Sequence, residues 1–148
     1  GQNNKAMLAA QAVVDDLAKS AQAGKDDGSI GHYADRELAY AYLKISNADK
    51  ALDHAMLEYN RRPKNIDVNE AVAWVYYNKG EYAKALPFLQ VALRTHSKNP
   101  VLICRAALIY YKAGNKEMAK AMLAATNISN PYIASSLQAE TATIAQNM

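Results

Sequence analysis

The feature that most constrains this sequence is an internal repeat with a period of 34 residues. When the chain is shifted by that distance, identical residues coincide at Ala73/Ala107, Tyr76/Tyr110, Tyr77/Tyr111, Gly80/Gly114, Ala85/Ala119 and Leu89/Leu123. The opposite shift places Ala39, Tyr42 and Ala51 on Ala73, Tyr76 and Ala85. A fixed period of this length is typical of proteins that stack one small unit on the next. It predicts three units, at residues 33–65, 66–99 and 100–133.

Each unit has the pattern of two helices joined by a tight turn. In the middle unit an apolar stripe with helical spacing ends near Gly80, and a second stripe begins at about Tyr82. We expect Gly80 and Gly114 to adopt a left-handed conformation, because glycine does so without steric cost. Ser46 takes this position in the first unit, and Asn47 is expected to cap the following helix.

These residues resemble the tetratricopeptide repeat, whose pattern is W-x2-L-G-x2-Y, then A-x3-F, then P. In the first unit the corresponding residues are Leu38-Ala39-x2-Tyr42, Ala51-x3-Ala55 and Pro63. In the second unit they are Val72-Ala73-x2-Tyr76, Ala85-x3-Leu89 and Ser97. In the third unit they are Ala106-Ala107-x2-Tyr110, Ala119-x3-Leu123 and Pro131. Alanine replaces the first glycine throughout, and the leading tryptophan is absent. Residues 58–74 are most similar to bacterial members of the family.

The resemblance implies an all-α fold, a right-handed α-solenoid of three helix pairs with one extra helix at each end, in a single domain of residues 1–148. The first helix is expected over residues 4–23, as the second half of a preceding repeat, which is consistent with a longer parent protein. The last is expected over residues 131–146, as a capping helix with Ile133, Leu137 and Ile144 facing inward.

The sequence lacks the signatures of catalysis and of metal binding. It has no H-E-x-x-H, no phosphate-binding glycine motif and no G-x-S-x-G, and its three histidines lie in different units. The single cysteine, Cys104, is expected to be a packing residue, and His54 a solvated surface residue. The longest apolar run, residues 71–77, is far shorter than the roughly 18 residues of a membrane span. We therefore predict a protein that is not an enzyme and needs no cofactor or metal.

Charge gives a second, weaker hypothesis. The net charge of +3 is modest, but six basic residues and only one acid lie between residues 94 and 120. Together with Arg61, Arg62 and Lys64 they could line a stripe for nucleic acid. Ordinary solvated helix surface is the favoured interpretation of this stripe.

A candidate binding surface remains once the stacking residues of the first helices are assigned. In the resembled family these helices line a concave groove, and a second stripe of aromatic and charged side chains would face it. Its members are Tyr33, Arg36, Tyr40, Lys44, Glu70, Trp74, Tyr77, Leu108, Tyr111 and Lys112. We expect Tyr40, Trp74 and Leu108 to form a row across the groove, with Trp74 partly exposed; packing by neighbours is the alternative for Trp74 and Tyr77. Only Arg36 and Arg105 match the family's carboxylate clamp, so such a clamp is not expected.

The resulting prediction is a protein-interaction scaffold that presents its groove to a peptide segment of another protein. The alternatives are a structural or self-associating segment of a larger repeat protein, associating through the N-terminal helix, and a nucleic-acid-binding solenoid. The compartment is undetermined: cytoplasmic or, if a signal sequence was trimmed, the bacterial cell envelope.

Overall fold

The computed structural model describes residues 1–26 and 34–148, and all regular structure in these ranges is helical. The eight helices are α1 (Gln2–Asp26), α2 (Asp35–Lys44), α3 (Ala48–Arg61), α4 (Ile66–Asn78), α5 (Tyr82–Leu93), α6 (Pro100–Lys112), α7 (Lys116–Ala124) and α8 (Ser135–Gln146). The predicted all-α class is confirmed. Tyr33, one of the predicted groove residues, lies outside the described residues.

The turns between helices have the predicted backbone conformations. Gly80 and Gly114 have φ angles of +75° and +90°, and Ser46 adopts the same left-handed region at +58°. Asn47 caps α3 by accepting a hydrogen bond from the backbone N–H of Lys50. The same capping recurs at three asparagines that the sequence analysis did not single out, Asn65 before α4, Asn99 before α6 and Asn115 before α7.

From α1 to α7, helices adjacent in sequence pack against each other. The most extensive contacts join α2 to α3, α4 to α5 and α6 to α7, and further contacts join α3 to α4 and α5 to α6. The alternate helices α2, α4 and α6 also contact one another in order. Three alanines of the second helices, Ala51, Ala85 and Ala119, are completely buried. Small side chains at these positions allow the helices to approach closely.

The two terminal helices differ from their predicted boundaries. Helix α1 extends beyond 4–23 at both ends, and α8 begins at Ser135 rather than at residue 131. Pro131 lies instead in a non-helical segment, where the side chains of Asn127 and Asn130 each accept a backbone hydrogen bond two residues later. Such local bonds compete with helix formation. Ile133, Leu137 and Ile144 are buried as predicted, and α8 packs on α6.

Candidate functional site

Side chains from α2, α4 and α6 meet around Arg105. This arginine lies on α6 and donates a hydrogen bond of 2.8 Å to Glu70 of α4 and one of 3.2 Å to the hydroxyl of Tyr40 on α2. Its guanidinium carbon lies 4.9 Å from the ring centroid of Trp74 and 5.2 Å from that of Tyr40, which are cation–π distances. We call these four residues, Tyr40, Glu70, Trp74 and Arg105, the arginine cluster.

The arginine cluster is shielded but not closed. The side chains of Arg105 and Glu70 are 19% and 16% exposed, and Trp74 and Tyr40 are partly exposed. Burial raises the pKa of Tyr40 above its usual value. The Nε atom of Arg105 is buried, and among the described residues it has no hydrogen-bond partner. From the sequence, Arg105 could be identified only as a clamp position and as one of the basic residues between 94 and 120, because spacing cannot show that it bridges three helices.

A second aromatic group continues the surface along α4. The rings of Trp74 and Tyr77 stack in parallel with centroids 4.7 Å apart, and Tyr82 lies 5.5 Å from Tyr77. The hydroxyl of Tyr77 donates a hydrogen bond of 3.0 Å to Glu140 of α8. Burial, together with the negative charge of Glu140, raises the pKa of Tyr77. Helix α8 therefore covers one side of the predicted groove.

Helix α8 also explains why Leu108, a predicted groove residue, is not part of an open surface. Leu108 is only 1% exposed and belongs to a core cluster with Ile133, Leu137 and Ile144. Trp74, Tyr77 and Tyr111 pack against the same cluster. The predicted row of Tyr40, Trp74 and Leu108 therefore does not reach α6 as an open surface, because α8 buries its last member.

The remaining predicted groove residues in the described part of the chain are partly or fully exposed. Arg36 forms ion pairs with Glu37 at 3.5 Å and with Asp67 at 3.7 Å. It does not pair with Glu70, which is bound to Arg105. Lys44 and Lys112 are exposed at the C-terminal ends of α2 and α6. Tyr111 is partly exposed, with the ammonium of Lys116 5.5 Å from its ring centroid.

A buried charge network that the sequence analysis missed joins the start of α2 to α3. Asp35 and Glu58 are 3% and 2% exposed. Asp35 accepts hydrogen bonds from Nδ1 of His54, at 2.7 Å, and from Arg61, and Glu58 binds both Arg61 and Arg62. Burial alone would raise the pKa of each carboxyl, but these hydrogen bonds and cationic partners hold both below their usual values.

This network corrects the interpretation of His54. Its ring stacks on Tyr42 with centroids 5.3 Å apart and its side chain is 25% exposed, so it is a packed member of the network and not a solvated surface residue. The network also binds two members of the proposed basic stripe, Arg61 and Arg62, to buried acids. A third, Arg105, is held by Glu70. These three cations are thus directed toward the protein's own carboxylates.

An open cleft lies between α1 and α2, beside Tyr40. It has a volume of about 480 Å³ and a predominantly apolar lining. Helix α1 contributes Ala6, Ala9, Ala10, Val13 and Leu17, and α2 contributes Glu37, Tyr40, Ala41 and Lys44. The sequence predicted a first helix but not this cleft, which depends on how α1 lies against α2.

Two further observations concern the described residues only. Residues 1–26 and 34–148 contain no group of three or more His, Cys, Asp or Glu side chains placed to hold a metal ion. No helix in these ranges is long and apolar enough to cross a membrane.

Cys104 is fully buried, and burial raises the pKa of its thiol. Burial of this kind is expected of a packing residue.

Comparison with family models, curated proteins and solved structures gives no match. The likeness to the tetratricopeptide repeat therefore depends on the residues and spacing of this chain alone.

Proposed function

We propose that this protein is a non-catalytic helical-repeat scaffold that binds a segment of another protein on the surface formed by α2 and α4. In this proposal α2–α3, α4–α5 and α6–α7 are three tetratricopeptide-like pairs of a right-handed α-solenoid, with α1 and α8 as the extra helices. The 34-residue period and the contacts between successive helices support this arrangement.

The observation that carries the proposal is the position of Trp74. Its ring is partly exposed, stacks on Tyr77 on one side and lies against the guanidinium of Arg105 on another. Tryptophan, tyrosine and arginine are the residues most enriched among those that dominate binding energy at protein interfaces. Because neighbouring side chains already hold the ring, a ligand would lose little free energy in ordering it.

The surroundings of Trp74 indicate which ligand features would fit. The partly exposed side chains of Trp74 and Tyr77 would contact an aromatic or aliphatic side chain of the ligand. Arg36 of α2 and Asp67 of α4 form an ion pair with side chains 37% and 61% exposed, which leaves one cation and one anion within reach of a ligand. A peptide that places an apolar side chain on Trp74 and polar groups toward Arg36 is therefore the expected ligand.

Selection of peptides from a random display library, followed by measurement of their affinities, tests this proposal. We expect Trp74→Ala to weaken the selected peptides by about 2 kcal/mol or more. Tyr132→Ala is the matched control, because Tyr132 is an aromatic residue 85% exposed outside this surface. Trp74 is the only tryptophan, so its fluorescence should also change on binding.

Two results would contradict the proposal. One is that the library yields no peptide that binds. The other is that selected peptides bind Trp74→Ala as tightly as the unmodified chain while its circular dichroism stays unchanged. Weakening by Tyr132→Ala alone would locate binding elsewhere.

Self-association is a second candidate, favoured by the exposure of apolar side chains on α1. Met7 and Leu8 are 55% and 71% exposed and line the same surface depression beside Ile45, and neighbouring exposed apolar residues often mark an interface. A sedimentation coefficient that rises with protein concentration, and no longer rises after Leu8→Glu, would support it. A monomer at all concentrations would exclude it.

A further inference from the structure

The helices that follow the turns, α3 and α5, each have neighbours on two sides. In the core cluster around α3, Ala51 and Ala55 pack with Ala39 of α2 and with Val72 and Val75 of α4. One face of α3 is thus covered by the helix before it, and an adjoining face by the helix after it.

Helix α5 is enclosed in the same way. Its residues Ala85 and Leu89 share a core cluster with Ala73 of α4 and Ala106 of α6. These two residues are at most 1% exposed, as are Ala51 and Ala55 of α3. These residues of α3 and α5 are therefore enclosed in the same way, each between the preceding and the following helix.

Among the described residues, helix α1 has a neighbour on one side only. It packs on α2, and Val14 is buried at 2% exposure. On the adjoining face Ala6 and Ala9 are exposed and Val13 is 52% exposed. Alanines line this face of α1 as they line the enclosed face of α3. Here, however, the space beyond them is the cleft of about 480 Å³ between α1 and α2.

We propose that this cleft binds an amphipathic helix of a partner protein. Helix α2 packs on both α3 and α4. The bound helix would pack on α1 and α2 in the same way, with α1 in the place of α3 and α2 in the place of α4. It would present an apolar stripe to Ala10, Val13 and Leu17, and the alanines of α1 would allow the two helices to approach closely. This site shares Tyr40 with the arginine cluster but is lined by α1 and α2 without Trp74, and it does not depend on the function proposed for the Trp74 surface.

Charges on the rim of the cleft define the expected charge pattern of the partner. Glu37 lies in the first turn of α2 and Lys44 in its last turn, and both line the cleft. Lys44 forms no hydrogen bond or ion pair with the described residues, whereas Glu37 forms an exposed ion pair of 3.5 Å with Arg36. A helix of opposite pattern would place a cation beside Glu37 and an anion beside Lys44.

The direction of the bound helix follows from the fold. Helices α2 and α4 are separated by one antiparallel helix, run in the same direction and contact each other. A bound helix that packs on α2 as α2 packs on α4 runs parallel to α2. Its cation therefore belongs in its N-terminal half, and its anion in its C-terminal half.

Two synthetic helical peptides test the proposal. Both have the length of α4, 13 residues, and carry a leucine, alanine and tyrosine stripe with the spacing of Leu38, Ala39 and Tyr42. Each is stapled on its opposite face, because isolated helices of this length are only marginally stable in water. One has lysines in its N-terminal half and glutamates in its C-terminal half; the other has the reverse order. Fluorescence anisotropy of the labelled peptides against the full chain should show about ten-fold tighter binding of the first.

Variants of the chain locate the site and its direction. The double variant Glu37→Lys with Lys44→Glu should reverse the preference between the two peptides. Val13→Asp should abolish the binding of both, whereas the matched control Ala12→Asp, at an exposed position outside the lining of the cleft, should not. Trp74→Ala should leave binding unchanged, which distinguishes this site from the Trp74 surface.

The contrary results are equally specific. Failure of both peptides to bind, equal binding of both, or binding that survives Val13→Asp would overturn the proposal. So would a sedimentation experiment showing a dimer of the chain that Val13→Asp dissociates, because a second copy would then occupy the cleft.

Discussion

Arg105 donates a hydrogen bond of 2.8 Å to Glu70, and this pair joins α6 to α4 beneath the partly exposed ring of Trp74. Both side chains are more than four-fifths buried. Removing either partner of such a pair leaves a charge in poorly solvated surroundings, whereas removing both together leaves none. The pair thus combines a structural role with a position at the edge of the candidate binding surface.

We expect Arg105→Met to lower the free energy of unfolding by about 2–3 kcal/mol, because Glu70 then lacks its cation. The double variant with Glu70→Gln should lose less than the sum of the two single variants. Urea denaturation followed by circular dichroism measures all three. Lys112→Met, at an exposed position on the same helix, should change stability by no more than about 0.5 kcal/mol. Strict additivity of the two single variants would show that the pair is not coupled.

Acid should destabilise the fold through Asp35 and Glu58. Their pKa values are lower in the folded protein than in the unfolded chain, so the stabilisation is complete above the unfolded pKa, near 4. It is lost as pH falls through the folded values, because the unfolded chain binds more protons there. Urea midpoints measured between pH 7 and pH 2.5 should fall below about pH 4. The Asp35→Asn variant should be less stable at pH 7, and its stability should fall less steeply in acid. An equal slope for both proteins would contradict this role for Asp35.

Ala85→Leu should lower the free energy of unfolding by about 1–3 kcal/mol, because Ala85 is completely buried between α4 and α6. Ala83→Leu is the matched control on the same helix, since Ala83 is exposed and should tolerate the larger side chain. Thermal or urea denaturation of both variants measures the difference. Equal stability of the two variants would mean that the helices of this pair are spaced more widely than the structure shows.

The turn after α4 should be sensitive to Gly80→Ala. A β-carbon at this position would meet no atom within 4 Å, so the cost is conformational: the φ angle of +75° is unfavourable for any residue with a side chain. We expect a loss of about 1 kcal/mol in the free energy of unfolding. Ser46→Gly relieves the corresponding strain at +58° and should be neutral or slightly stabilising. A higher denaturation midpoint for Gly80→Ala together with a lower one for Ser46→Gly would exclude a conformational cost at these two positions.

Much of the local structure could be predicted from the repeat. The turns at Gly80 and Gly114 and the cap at Asn47 follow from residue chemistry within a few positions. The start of α8 could not be predicted in the same way. Residues 127–133 make local turn contacts through asparagine side chains, and an apolar pattern does not reveal that competition.

The candidate site was harder to predict, because its contacts join residues far apart in sequence. A pattern can place Tyr40, Trp74 and Leu108 at equivalent positions of three helices. It cannot show that α8 buries Leu108, or that Arg105 lies against the other two. His54 was misinterpreted for a similar reason, since its partner Asp35 lies nineteen residues earlier, at the start of another helix.

The hydrogen bond between Tyr77 and Glu140, with the burial of Leu137 and Ile144 against α6, gives the molecule two unlike ends. A helix added next to α6 would first have to displace α8 and break these contacts. A helix added next to α1 would displace none of the described residues and would cover apolar side chains that are already exposed. Among the described residues, extension of this fold is therefore directional: a neighbour next to α1 breaks no contact, whereas one next to α6 must first replace α8.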